Sequence, residues 1–348
     1  MIPPYRSTSS LEVAVQLVRV GGAALVLGGC TVDNKIVKIA GNDAFRQADP
    51  VEVDMLIVID DSGSMERYQE ELASRFEGFL SYFTEDIDYR IGVTTSTVVP
   101  AEPFGDCTAE DIAAAPQGGV LSGEDWVSRD AVSAADRFAN NVRVGICGGT
   151  YEMGLEAAYL AVTGANPGFR RSGAALSVVF VSDEEDNSPG STSDYLAAFR
   201  ASVDAPGRNA FNVSALVIAD KAQCTDAQLA GGASVNLRFP DLAHQTGGTI
   251  ADLCTDDFDE IVSQVSQSSS RLIDTFYLRD RPSVGTLEVG VGLELVPCDA
   301  GVWSYQLVDD RPAIVFGPGA LPPAGSRITV SYDHGSGDEA SFCPETGE

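Results

Sequence analysis

The 348-residue chain carries 51 Asp and Glu against 22 Lys and Arg, a net charge of −29, and 44% of its residues are hydrophobic. That apolar content supports a sizeable core and excludes general disorder. The negative balance argues against nucleic acid or an anionic membrane surface as the main partner, because both would be repelled, and it suits a soluble protein that attracts cations.

Residues 20–29, VGGAALVLGG, form an apolar run behind Arg6 and Arg19, too short for a stable membrane-spanning helix. With Cys30 the run ends in LGGC, which resembles a bacterial lipobox. The resemblance implies a signal peptide over 1–29, cleavage before Cys30 and lipid on its thiol; ordinary cleavage with a free Cys30, or a buried helix, is the alternative. Thr31, rather than Asp, follows the cysteine, so an outer-membrane destination facing the periplasm or the cell surface is expected. Export makes Cys107, Cys147, Cys224, Cys254, Cys298 and Cys343 disulfide candidates. Pairing of sequence neighbours would join 107 to 147, 224 to 254 and 298 to 343, although spacing alone does not fix the connectivity. The absence of a CxxC pair and the presence of only two histidines argue against a zinc site.

Residues 30–51 read as a polar tether. A buried strand is predicted at 53–59, VDMLIVI, and a helix over 65–83 from apolar residues at helical spacing, Met65 to Phe83. A second strand at 89–94 is followed by an irregular insertion, 97–128, rich in Pro, Gly and Asp. Helices are expected at about 129–142 and 151–163, then a strand at 176–182 that runs into Asp183–Glu184–Glu185–Asp186. A helix near 193–203, strands at 212–219 and near 248–252 and a helix at 258–274 complete an alternation that predicts an α/β fold. Its core is a doubly wound, mostly parallel, Rossmann-like sheet with helices on both faces, over residues 52–274. From 275 to 348 the pattern changes to short period-two segments between Pro and Gly turns, read as a small C-terminal antiparallel β domain.

Two of the buried strands end in carboxylates, Asp60 and Asp183. Loops after parallel strands leave the same edge of a sheet, so these acids can meet. Asp60, Ser62 and Ser64 alternate on the first loop, where Gly63 is expected to permit a tight turn. Thr150 follows Gly148–Gly149 ahead of a predicted helix and offers a third hydroxyl. Two carboxylates and three hydroxyls form an oxygen-only set suited to a hard divalent cation, Mg2+ first, with Ca2+ or Mn2+ as alternatives. The purely structural alternative has Ser64 capping a helix, Asp60 making a turn, Thr150 as an N-cap and Asp183 in a solvated acidic loop.

Asp60–Asp61–Ser62–Gly63–Ser64 resembles the DxSxS motif of the von Willebrand factor A (VWA) domain, including the methionine that often follows. The resemblance implies a metal-ion-dependent adhesion site (MIDAS) on Asp60, Ser62, Ser64, Thr150 and Asp183. Many members have Thr-Asp-Gly in the third loop where this chain has Ser-Asp-Glu, and the DEED run is read as tuning metal affinity or weakening specificity for Mg2+ over Ca2+. The implied function is that of an exported, lipid-anchored binding or adhesion module, not an enzyme, whose metal accepts a carboxylate from a protein or surface ligand. A structural envelope protein with a loop-ordering metal and, less favoured, a metal-dependent hydrolase are the alternatives. His244 and His334 read as structural residues.

Overall fold

The computed structural model describes residues 40–337 apart from 48–50, 84–86, 101, 103–104, 124, 150, 204–209, 230–231, 256, 300, 309 and 318. The first strand, β1 (Ala40–Arg46), falls inside the segment read as a tether. Alternate residues of it are buried, and it pairs antiparallel with the last strand, residues 327–333. A short strand of mixed composition gives little signal on its own, and its partner lies at the far end of the chain.

Strand β2 (Glu52–Ile59) is buried at every position after Glu52, as its run of apolar and β-branched residues requires. It sits between β3 (Asp88–Thr95) and β5 (Ala175–Ser182), parallel to both. Beyond β3 lies β4 (Val127–Ser128), the antiparallel edge; beyond β5 lie β6 (Phe211–Val217) and β7 (Ile250–Asp252). Counted within this sheet in chain order, the six strands run 3-2-1-4-5-6. That order reverses direction between β2 and β5, the switch point at which open α/β sheets bind ligands.

Strand residues alternate between two cores. Met55, Ile57 and Ile59 face α1 (Glu66–Ala73), α2 (Phe76–Phe79), α4 (Ala134–Val142) and α8 (Phe258–Asp274). Leu56 and Val58 face α5 (Gly154–Leu160), α6 (Thr192–Ala201) and α7 (Arg238–Thr246). The helix expected at 65–83 is broken at Ser74–Arg75. The insertion is less irregular than expected: it contains α3 (Ala109–Ala114), closed by a Thr108–Asp111 capping box, and supplies β4. Helix α7 has no counterpart among the sequence predictions.

At the edge opposite the switch point, the buried carboxylate of Asp54 accepts bonds from Arg170 and Arg171, each at 2.7–2.8 Å, and Arg171 also reaches Glu52 at 3.1 Å and Asp88 at 2.8 Å. This fixes the 170–171 turn beneath the central strand.

Helix α8 passes directly into β8 (Thr275–Tyr277). The strands β9 (Glu288–Val291), β10 (Glu294–Val296), β11 (Trp303–Val308), β12 (Arg311–Phe316) and β13 (Arg327–Asp333) complete two antiparallel sheets, β1-β13-β9-β10 and β11-β12-β8. Trp303, Tyr305, Ile314, Phe316, Ile328 and Val330 fill one core between them. The Gln47 N–H donates to the Ser326 carbonyl at 2.8 Å and the Gln47 amide to Ile273 O at 3.3 Å, tying this part to α8.

Disulfides join Cys107 to Cys147 and Cys224 to Cys254, as nearest-neighbour pairing predicts. Cys298 is also disulfide-bonded. Cys343, its expected partner, and Cys30 lie outside the described residues, as does the whole apolar run at 20–29. Among the described residues no helix is long and apolar enough to cross a membrane.

Candidate metal centre

The β2 ladder extends one residue past the strand: Asp60 N–H donates to Val181 O at 2.9 Å. That bond sets Asp60 beside the end of β5. Its carboxylate, 1% exposed, accepts from Ser62 N–H at 2.8 Å through one oxygen and from Ser182 Oγ at 2.6 Å through the other. The chain then makes a 3-10 turn over Gly63–Met65. Gly63 has open space around it and no positive φ, so the turn does not depend on glycine, contrary to the sequence expectation.

The two serines face the third loop. Ser62 Oγ and Ser64 Oγ are 3.0 Å apart, and Ser64 Oγ donates to Asp183 Oδ1 at 3.0 Å. Neither hydroxyl caps a helix. The structural alternative therefore fails for Ser64, although Asp60 does make the turn it expects, and the solvated-loop alternative does not describe Asp183, which is fully buried. Four of the five expected ligands, Asp60, Ser62, Ser64 and Asp183, gather at the switch point, three from the loop after β2 and one from the loop after β5. Thr150, the fifth, lies outside the described residues. Its neighbours are held against the loops after β2 and β3: Gly148 N–H donates to Asp61 O at 3.0 Å and Gly149 N–H to Thr97 Oγ1 at 2.6 Å. A Cβ on Gly148 would stand 2.3–2.5 Å from the Asp61 carboxylate, so only glycine fits there.

Three further acids belong to this cluster. Asp61 is fully buried and accepts from Thr97 Oγ1 at 2.8 Å and Ser96 Oγ at 3.3 Å. Glu152 is buried beside it and also accepts from Ser96 Oγ. Glu184 follows Asp183 at the rim. Asp61 stands within the motif but at its variable position, while Glu152 and Glu184 carry no spacing signal; only the fold shows them converging.

The remaining acids of the DEED run do other work, correcting the expectation that the whole run tunes a metal. Glu185 accepts from the N–H groups of Leu237 and Arg238 at the start of α7. Asp186 accepts from Leu155 N–H at the start of α5, at 3.1 Å, and pairs with Arg238 at 2.7 Å. Both are helix-terminus ligands. His244 lies in the last turn of α7 and His334 bridges to Pro282 in the β part, so neither histidine reaches the cluster.

Burial raises the pKa of Asp61 to about 6, with the Asp60 charge adding to it, and of Asp183 to about 6 for the same two reasons. Glu184 rises to about 7 through burial and its neighbours Asp60 and Asp183. Asp60 and Glu152, which interact directly, are both raised, chiefly by burial. Asp61 Oδ2, Asp183 Oδ2 and Glu152 Oε1 are buried oxygens without a hydrogen-bond partner. Buried acceptors are ordinarily satisfied, and like charges at such spacing repel. A dication held by Asp60, Ser62, Ser64 and Asp183 would give Asp183 Oδ2 a partner and offset the repulsion among the acids. The donor set is all oxygen, as hard cations prefer.

A second grouping, Cys224, Asp252 and Cys254, has the proximity of a ligand set, but its two sulfurs are joined to each other and Asp252 accepts from Cys254 N–H.

No family model matches the sequence, and no curated protein does. Among solved structures, two of proximal thread matrix protein 1 from the mussel byssus are similar, at 13% identity with a TM-score of 0.36 and 15% identity with a TM-score of 0.37. They match 65% and 67% of this chain. A third structure of the mussel protein, with a zinc-occupied MIDAS motif, is 12% identical over 65% of this chain with a TM-score of 0.37. The chain spans about half the length of these proteins, 47–48%.

Proposed function

We propose that residues 52–274 form a VWA-type module whose MIDAS holds a divalent cation, and that the protein is a binding or adhesion module rather than an enzyme. The observation that carries this reading is the link Ser62–Ser64–Asp183 across the switch point, ending in a buried carboxylate whose other oxygen, Oδ2, has no partner. Asp60, Ser62, Ser64 and Asp183 are the proposed ligands within the described residues, joined by Thr150. A cation there would supply Lewis acidity and a coordination position for the carboxylate of a protein or surface ligand. Mg2+ is the proposed ion on donor hardness; zinc is the metal of the mussel protein's MIDAS motif. The apolar run and LGGC motif support export and lipid anchoring in a bacterial envelope.

The test is thermal melting with Mg2+, Mn2+, Ca2+ and Zn2+ in turn. A ligand that binds only the folded state raises stability in proportion to RT ln(1 + [L]/Kd). The wild type is expected to melt higher with at least one of these ions, and Asp60→Ala to lose that rise. An Asp60→Ala protein that keeps the full rise would sink the assignment.

A further inference from the structure

Two carboxylates outside the proposed ligand set meet at one hydroxyl. Ser96 Oγ lies 3.3 Å from Asp61 Oδ1 and also bonds Glu152 Oε2, yet it has a single proton to give. Thr97 Oγ1 donates to Asp61 Oδ1 at 2.8 Å. The other oxygen of each acid, Asp61 Oδ2 and Glu152 Oε1, is buried and has no donor. Thr95 Oγ1 is a third buried oxygen without a hydrogen bond, and it lies near enough to Asp61 to favour that carboxylate's charged form. Asp61 and Thr95 are 0% exposed and Glu152 is 1% exposed.

Ordered backbone presents these oxygens. Thr95 is the last residue of β3, and the next N–H, that of Ser96, donates to Ile59 O at 3.0 Å, one residue before Asp60. Glu152 is held from both sides: Met153 N–H donates to Ser96 O at 3.0 Å, and Asn187 N–H donates to Glu152 O at 2.6 Å. The oxygens thus come from the loop after β2, the end of β3 and the approach to α5.

Charge restricts what can fill the gap. The charges acting on Glu152 are those of Asp60, Asp61 and Glu184, all of its own sign. A buried water would supply donors and leave that repulsion in place. A cation supplies both the missing contacts and the opposite charge. Carboxylate and hydroxyl oxygens favour a hard divalent ion.

We propose that Asp61 Oδ2, Glu152 Oε1 and Thr95 Oγ1 hold a second divalent cation, separate from the ion assigned to Asp60, Ser62, Ser64 and Asp183. With every ligand buried, this ion leaves only when the fold opens, so it stays with the protein through dialysis while the first ion exchanges. The second site stands on its own atoms; its consequence for ligand binding rests on the metal reading above. Among the charged forms of Asp60, Asp61, Glu152, Asp183 and Glu184, one dication leaves three negative charges and two dications leave one. The second ion therefore lowers the repulsion met by an incoming carboxylate.

The test is elemental analysis of the full chain, refolded with Mg2+, Ca2+, Mn2+ and Zn2+ present and then dialysed against EDTA. The wild type and Asp183→Asn are each expected to retain about one divalent ion per chain. Asp61→Asn/Glu152→Gln, which preserves the shape of both side chains, is expected to retain none. Where that variant fails to fold, Thr95→Val carries the test: it removes one neutral oxygen and should speed loss of the metal to EDTA about tenfold. No retained metal in the wild type, full retention in Asp61→Asn/Glu152→Gln, or an unchanged rate of loss in Thr95→Val would each overturn the second site. Loss of the retained metal in Asp183→Asn as well would show a single shared centre and overturn it too. The first site is judged separately, by the rise in melting on adding an ion to the dialysed protein, and none of these results removes that rise.

Discussion

Ser64 Oγ donates to Asp183 Oδ1 at 3.0 Å, joining loops that are 119 residues apart in the chain. Both loops follow central parallel strands, so the bond is a direct result of the sheet order. It also speaks against one structural reading of the serine, that of a helix cap. A capping hydroxyl would have turned toward the N–H groups of α1; this one is turned toward a buried acid.

Asp183→Asn provides a test with opposite signs in its two parts. The amide keeps an oxygen for Ser64 but removes a charge from a buried acidic cluster. A tenfold change in proton affinity is worth about 1.4 kcal/mol. With the Asp183 pKa pushed up to about 6, the ion-free variant should gain on the order of 2 kcal/mol at neutral pH. The ion-induced rise should disappear. Denaturant melts with and without the ion measure both.

Acid should stabilise the ion-free protein. Asp61 and Asp183 titrate at about 6 and Glu184 at about 7 in the fold, above their ordinary values of 3.8 and 4.5. The folded state therefore holds protons that the unfolded chain releases earlier, and stability is expected to fall as pH rises from about 4 to 7. Protons and a dication compete for the same oxygens, so the ion should raise the melting temperature more near neutral pH than in mild acid. Scanning calorimetry over this range, with and without the ion, checks the direction of both trends.

Asp54→Ala attacks the other end of β2. It removes a buried carboxylate from Arg170 and Arg171, leaving guanidinium groups without their main partner. Loss of one member of a buried ion cluster costs about 3–5 kcal/mol. Urea melts should show that loss, while ion affinity per folded molecule remains unchanged.

Gly148→Ala separates loop packing from ligand chemistry. Its Cβ would collide with the Asp61 carboxylate, so the second loop must shift although no proposed ligand is altered. Weaker ion binding by isothermal titration, with the far-ultraviolet spectrum preserved, is the expected result.

The Cys107–Cys147 disulfide closes a loop with a sequence separation of 40. Replacing both cysteines with serine should cost about 3–4 kcal/mol on the chain-entropy account. Limited proteolysis is expected to cut the insertion of the variant before any other described segment.

The parts of this architecture legible in the sequence were those written in local patterns. Unbroken apolar runs ending in Asp60 and Asp183 marked both the central strands and the edge where a site would form. Other parts depended on distant partners. Pro240 reads as a helix breaker, yet it sits in the first turn of α7, where a missing N–H costs nothing, and Phe239, Leu242 and Ala243 supply the buried face. Glu152 looks like any acid at a helix entrance until Ser96, Asp61 and Asp60 close around it. Glu185 and Asp186 looked like companions of Asp183, but their backbone partners on α5 and α7 give them a different task.

The pairing of β1 with β13 has a consequence for the order in which the chain folds as it emerges. Residues 40–46 are synthesised first among those described, but the strand against which they are laid is made last. The parallel sheet and its helices can assemble from residues 51–274 in the meantime, while the early segment stays without a backbone partner. Closure of the four-stranded sheet is thus a late, non-local event in the folding order, and it completes only when the carboxyl-terminal segment has emerged.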